Sequence, residues 1–131
     1  MMAIDNGAMR IGHGVHLSLD DETVNRVKEN NICFEFCPLS NLQTKSLKTY
    51  EDVPLRKFME RGIDVTINSD NMTVSNTDAI AEMKTMVKTF NLTKEEVKKN
   101  IELINLQYNR LYKACRCAQR RKRKSEHGQP D

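Results

Sequence analysis

Three short apolar runs, each followed by polar residues and then by a helical pattern, constrain the fold of this chain most strongly. The runs lie at residues 9–11, 32–37 and 63–68. In the helical stretches, apolar residues recur at intervals of three or four. Short strands that alternate with helices pair in parallel through right-handed crossovers. The sequence therefore predicts an α/β fold built on a parallel sheet.

Four helices are expected from start and stop signals along the chain. One begins in the acidic segment 18–22 and runs to about Glu29, and another begins at Pro54 and ends at Gly62. A third begins at residues 76–78, and a capping box of Thr93 with Glu96 begins the fourth. The inner face of the third is expected to consist of Ile80, Met83, Met86, Val87 and Phe90. Residues 40–44 are expected to form a loop.

Polar side chains follow the carboxyl end of every predicted strand. His13 and His16 follow the first strand, Ser40 and Asn41 the second, and Asp70 the third. Each is weak evidence alone, since Asp, Asn and Ser are ordinary turn residues and a loop histidine is often merely hydrogen-bonded. In parallel sheets, however, functional groups gather beyond the carboxyl ends of the strands. The repetition therefore predicts that these side chains converge on one site.

The cysteines and the apolar stretches indicate the compartment. Cys33 and Cys37 share one extended run, about 13 Å apart, which exceeds the reach of a disulfide. They are predicted to be buried, reduced thiols, which favours an intracellular, cytoplasmic protein. Cys115 and Cys117 lack the C-x-x-C spacing of zinc or redox motifs. No apolar run approaches the roughly 20 residues of a membrane span, and no secretory signal is expected.

Charge divides the chain into an acidic body, residues 1–109, and a basic tail, residues 110–131. The tail has eight Lys and Arg against two acidic residues, whereas the body has 13 basic and 16 acidic residues. The tail is predicted to be disordered, as a solvated end or the product of a truncated or frame-shifted gene. The alternative is an arm that binds nucleic acid or another polyanion, because clustered cations release condensed counterions. No aromatic residue interrupts the basic run 115–124, which weakens a single-strand stacking role.

Three motifs give the chain a family resemblance. Residues 10–15 (RIGHGV), 34–41 (FEFCPLSN) and 65–70 (VTINSD), in this order, resemble the C-terminal half of the adenosine deaminase family, and residues 92–96 also fit. The resemblance implies a partial TIM-type (β/α)8 barrel, comprising the last three β/α units and a C-terminal helix. It also implies a catalytic zinc ion and the hydrolytic deamination of adenosine to inosine and ammonia in purine salvage.

The resemblance assigns roles to individual residues. Asp70 matches the family's aspartate zinc ligand, and His13 matches the histidine that holds the attacking hydroxide and stabilises its charge. Asn71 stands where the family usually has a second aspartate that hydrogen-bonds the purine N7, and its amide can donate such a bond. Asn71 is therefore predicted to bind the purine nucleoside. His16 is given a supporting role, and Ser40, like Asn41, is expected to support loop geometry.

Parts of the family's machinery do not appear in the sequence. The His-x-His pair, the third zinc histidine and the proton-shuttling glutamate are missing, and the remaining histidine is His127. A barrel of this type has around 250 residues, whereas this chain has 131. The chain alone is therefore expected to be an inactive deaminase fragment that self-associates through two open sheet edges. The alternative is a non-catalytic remnant that binds nucleic acid or another acidic partner through the tail. Adenosine and adenine both stay open as substrates.

Overall fold

The computed structural model describes residues 2–70 and 78–126, with side chains described for residues 4–70 and 78–118. Asn71 and the predicted helix start at residues 76–77 lie outside the described residues. The strands are β1 (Arg10–Gly12), β2 (Cys33–Phe36) and β3 (Asp64–Ile67). The α-helices are α1 (Met2–Asp5), α2 (Asp21–Glu29), α3 (Pro38–Gln43), α4 (Leu55–Glu60), α5 (Ala79–Phe90) and α6 (Lys94–Glu126), with a 3-10 turn at Tyr50–Asp52.

The sheet is parallel, as predicted, in the order β1-β2-β3. Ile11 lies opposite Phe34, and Phe34 lies opposite Val65. Helix α2 connects β1 to β2, while α3 and α4 lie between β2 and β3. Since all three strands run in one direction, their carboxyl ends meet at a single edge of the sheet.

The core is centred on aromatic rings from β2 and α4. Phe34 and Phe36 meet Phe58 edge to face, with ring centroids 5.3 and 5.1 Å apart, the arrangement that aromatic quadrupoles favour. Strand β3 is buried on both faces, since Thr66 is as inaccessible as Ile67. The polar alternation in the sequence therefore does not mark a solvent face in β3.

The outer edge of β3 is closed by one side chain of α6. The Ile67 amide donates a hydrogen bond to Asn100 Oδ1 at 3.1 Å, and Asn100 Nδ2 donates to the Val65 carbonyl at 2.8 Å. A side-chain amide thus replaces a neighbouring strand. The prediction of two open edges is wrong for β3. Strand β1 is the other edge, and no further strand pairs with it in the described part of the chain.

Two helical predictions were wrong because they used local signals alone. Residues 40–43 belong to α3, not to a loop, and Pro38 at its first turn has a backbone preset for a helix. In α5, Ile80 is 67% exposed while Glu82 is buried. The helix is therefore rotated so that Glu82 and Met86 face the body, and Ile80 does not belong to the inner face.

Helix α6 begins at the predicted capping box. The Thr93 amide donates to Glu96 Oε2 at 2.8 Å, and the Glu96 amide donates to Thr93 Oγ1 at 3.2 Å. The helix then continues to Glu126, so residues 110–126 are helical instead of forming the predicted disordered tail. No glycine or proline occurs between Lys94 and Gly128, and Leu, Ala, Gln, Lys and Arg favour helix.

Two further predictions concern the compartment. Cys33 and Cys37 are buried and free, as expected, and Cys115 and Cys117 are exposed and free. Among the described helices, none is both long enough and apolar enough to cross a lipid bilayer.

Candidate active site

The polar residues that follow the three strands form one hydrogen-bonded cluster. His13 Nε2 lies 3.6 Å from Asp70 Oδ2, and Ser40 Oγ donates a hydrogen bond to the same Asp70 oxygen at 2.9 Å. His13 Nδ1 lies 3.0 Å from Asn41 Oδ1. The predicted convergence of these side chains is confirmed. Within the described residues, the structure does not bring His16 into this cluster.

The His13 loop is held tightly against β2. His13 has a left-handed backbone, with φ of 57°, and its amide donates to the Glu35 carbonyl at 2.9 Å. Next along the chain, a Cβ on Gly14 would lie 2.5 Å from two ring carbons of Phe34. Only glycine permits this approach, so the core of the sheet fixes the height of the imidazole above the strands.

Asn41 is the buried support of the imidazole. It is 1% exposed, and its backbone carbonyl accepts hydrogen bonds from the Leu47 amide at 3.1 Å and from Thr44 Oγ1 at 3.4 Å. With the amide in this orientation, His13 Nδ1–H donates to Asn41 Oδ1. In the neutral imidazole, this hydrogen bond places the proton on Nδ1 and leaves Nε2 as an acceptor.

The acceptor Nε2 faces the carboxylate of Asp70. Two electron-rich atoms 3.6 Å apart are too distant for a direct hydrogen bond and repel each other unless a positive atom lies between them. The hydrogens of a bridging water molecule or a cation would satisfy both. The His13 and Asp70 side chains are 46% and 49% exposed, so a ligand can approach them from solvent.

Sequence reasoning missed a buried carboxylate beside this cluster. Glu82 of α5 accepts a hydrogen bond from the Leu39 amide at 3.3 Å, at the first turn of α3. Burial raises the pKa of Glu82 above its ordinary value. Burial first, then the charge of Asp70, raises the pKa of the neighbouring Cys37 thiol to about 11. The available signal was the spacing of Glu82 four residues before Met86, which places both on one stripe of α5.

The donor set is too small for a complete metal centre. A catalytic zinc site uses three protein ligands and an open position. Among residues 2–70 and 78–126, no group of three or more His, Cys, Asp or Glu side chains could hold a metal ion. His13 and Asp70 give the cluster fewer than three such donors among the described residues, which therefore do not fit a zinc ion by themselves. The roles predicted for His13, Asp70 and Asn71 stay predictions.

Comparison with known proteins gives matches over most of the chain. The adenosine deaminase family model matches residues 2–122. The adenosine deaminase of Vibrio atlanticus is 49% identical over 89 residues, which cover 68% of this chain and 27% of that enzyme. The adenosine deaminase of Clostridium perfringens is 44% identical over 93 residues, which cover 71% of this chain and 28% of that enzyme. The chain thus spans less than a third of the length of these relatives.

Solved structures agree with the architecture. The adenine deaminase of Arthrobacter aurescens superposes with a TM-score of 0.68 at 25% identity, over 75% of this chain and 30% of that one. The N6-methyl-AMP deaminase of Arabidopsis thaliana superposes with a TM-score of 0.62 at 25% identity, over 72% of this chain and 28% of that one. The three-stranded parallel sheet is therefore part of a TIM-type barrel, and the predicted fold class is confirmed.

Proposed function

Since this chain belongs to the adenosine deaminase family, we propose that it supplies the His13–Asp70 part of a site for hydrolytic deamination of a purine nucleoside. One observation carries the proposal, namely that His13 Nε2 and Asp70 Oδ2 face each other 3.6 Å apart at the carboxyl edge of the sheet. Both groups are oriented by residues that the same chain provides, Asn41 and Ser40.

The reaction adds the oxygen of water to the ring carbon that bears the amino group, and ammonia leaves. Nε2 and the Asp70 carboxylate are both acceptors, so a water molecule between them donates a hydrogen to each and keeps a lone pair for the ring. His13 takes up one proton of the water as the new C–O bond forms and passes it to the amino group, which leaves as ammonia when its C–N bond breaks. The second water proton ends on the ring nitrogen beside the new carbonyl, and Asn41 holds the imidazole in the tautomer that can accept the first. General acid–base catalysis of this kind is worth about 10²–10⁴-fold in rate.

The family resemblance also implies a zinc ion, which would polarise the attacking water. The residues described here supply fewer than three ligands, and no step is assigned to the ion. The sequence contains no His-x-His pair. We therefore expect the isolated chain to have no measurable deaminase activity and to need further ligands from another polypeptide segment. The expected compartment is the cytoplasm, because all four cysteines are free thiols and free thiols persist in a reducing environment.

Substrate binding is assigned to Asn71, on sequence grounds. It follows Asp70 directly, and its amide can donate a hydrogen bond to the purine N7 whatever the pH, whereas a carboxylate must first be protonated. The proposed substrate is a purine nucleoside.

A chimera tests the proposal. This chain's matching segment replaces the aligned 89 residues of the Vibrio atlanticus adenosine deaminase, and conversion of adenosine to inosine is followed by absorbance. We expect the chimera to be active and His13→Ala to lower kcat/KM by at least about 100-fold. His16→Ala serves as the matched control and should retain the activity of the parent chimera, because His16 lies outside the cluster.

Two outcomes contradict the proposal. A folded chimera without activity, or a His13→Ala chimera as active as the His16→Ala control, would show that these residues do not serve deamination. Zinc-dependent release of ammonia from adenosine by the pure, isolated chain would overturn only the expectation that the chain alone is inactive.

A further inference from the structure

The outer half of α6 takes no part in the candidate active site and carries an aromatic and cationic ladder. The ladder consists of Tyr108, Tyr112 and Arg116, which follow one another at intervals of four and therefore share one face of the helix. The two tyrosine rings lie 10° from parallel with centroids 6.5 Å apart. The Arg116 guanidinium lies 5.7 Å from the centre of the Tyr112 ring.

The ladder points away from the body of the protein. Tyr108 is 68% exposed and Tyr112 is 54% exposed, whereas the adjacent Gln107 is buried against the body. Residues 111–118 are exposed without exception. The tyrosines are therefore not core residues, and a ligand can reach the exposed parts of their rings without rearrangement of the fold.

Charge restricts the kind of ligand. Residues 110–126 contain eight Lys and Arg and one Glu, a formal net charge of +7. Such density attracts a polyanion and releases its condensed counterions, and it repels a second copy of the same helix. The cations continue past the ladder, with Arg120 and Lys124 at the same interval of four in the sequence.

Near-parallel rings indicate which polyanion fits. Single strands of nucleic acid bind where exposed aromatic faces stack with bases and nearby cations follow the phosphates. A guanidinium that stacks on a ring contributes both a planar face and hydrogen-bond donors for phosphate. An anionic membrane surface would use the charge but has no planar groups to stack on the rings.

We propose that α6 beyond Asn109, together with Tyr108, binds single-stranded nucleic acid. Bases stack on Tyr108 and Tyr112, phosphates contact Arg116, and the positive charge of the sequence that follows attracts the strand. The basic run alone indicated only a general affinity for polyanions. The exposed tyrosine pair directly before it adds a surface that distinguishes single strands from other polyanions.

The test uses the full chain and a fluorescently labelled oligouridylate of about twenty nucleotides, titrated by anisotropy over a range of salt concentrations. The double variant Tyr108→Ala/Tyr112→Ala is expected to weaken binding by about tenfold or more. The matched variant Tyr108→Phe/Tyr112→Phe keeps the rings and is expected to bind like the parent chain. Circular dichroism confirms that the helix persists in both variants.

Charge is tested separately on the same helix. Arg116→Gln is expected to reduce the slope of log K against log salt by about 0.7, the value for one phosphate contact on a single strand. Lys98→Gln makes the same change in charge on an exposed residue of α6 outside the ladder and is expected to leave the slope unchanged.

Competitors identify the ligand class. An oligothymidylate is expected to compete with the oligouridylate, whereas a DNA duplex of equal length and heparin are expected to compete more weakly at equal charge. Equal competition by all of them, with no effect of the alanine variant, would overturn the proposal in favour of simple charge attraction. Tighter binding to phosphatidylserine vesicles than to the oligonucleotide, or no binding to the oligonucleotide, would also overturn it.

Discussion

Replacement of Asn100 by alanine tests whether a side-chain amide holds the edge of the sheet. In the parent chain, Asn100 accepts from the Ile67 amide at 3.1 Å and donates to the Val65 carbonyl at 2.8 Å. Asn100 is buried, and so are both of its backbone partners. The variant removes both hydrogen bonds at once and offers no replacement from within α6.

The expected loss of stability follows from the two groups left behind. A buried donor or acceptor without a partner costs about 1–3 kcal/mol, so the two together cost about 2–6 kcal/mol. Alanine returns up to about 0.7 kcal/mol through its higher helix propensity. The net loss is a large part of the roughly 5–15 kcal/mol that holds an ordinary domain together.

Urea unfolding followed by far-UV circular dichroism measures the change, with Asn105→Ala as control. Asn105 is exposed on the same helix, so its variant gains the same propensity and loses no buried bond. Hydrogen exchange at the Ile67 amide gives a local readout, and protection there should fall in Asn100→Ala alone. If both variants unfold at the same urea concentration and Ile67 keeps its protection, Asn100 does not hold the edge of β3.

Two further substitutions and one labelling experiment have defined outcomes. Gly14→Ala forces a methyl group against Phe34, so it should lower the free energy of unfolding by about 1–3 kcal/mol in thermal unfolding. It should also shift the imidazole signals of the adjacent histidine in NMR spectra. Unchanged signals would mean that the loop does not rest on the Phe34 ring. Because burial raises the pKa of Glu82, the folded state favours the protonated carboxyl, and this contribution is complete below about pH 4.5 and lost as the pH rises through the raised pKa. Glu82→Gln should therefore be more stable than the parent at neutral pH and equal to it in acid, and a constant difference in unfolding free energy across that range would refute the assignment. Burial also raises the pKa values of Cys33 and Cys37 to about 11, so mass spectrometry should find iodoacetamide on the two exposed cysteines of α6 well before these two; equal rates for all four thiols in the folded chain would refute it.

Local sequence signals predicted the features that depend on residues close together in the sequence. The Thr93–Glu96 capping box begins α6, and Gly62 follows α4 with a left-handed backbone, φ 69°. The parallel sheet followed from the alternation of strands and helices, and the meeting of His13 with Asp70 followed from the sheet. In that sense, the position of the site was a consequence of topology and could be predicted without coordinates.

The remaining features depend on contacts between segments far apart in the sequence. Nothing near Asn100 indicates that its partners lie 33 and 35 positions away. Similarly, Glu82 is buried because α5 is rotated toward α3, and the inner face predicted for α5 did not include it. The orientation of His13 by Asn41, which sets the tautomer, required the three-dimensional position of α3.

The sheet ends differently on its two sides, and this difference limits how copies of the chain can join. The Asn100 side chain of α6 occupies the outer edge of β3, whereas no further strand pairs with the outer edge of β1 in the described part of the chain. Two subunits can join by strand pairing only if each has a free sheet edge. A subunit with one free edge can form a dimer, but it cannot form a continuous intermolecular sheet. Association through strand pairing should therefore stop at two chains instead of producing fibres.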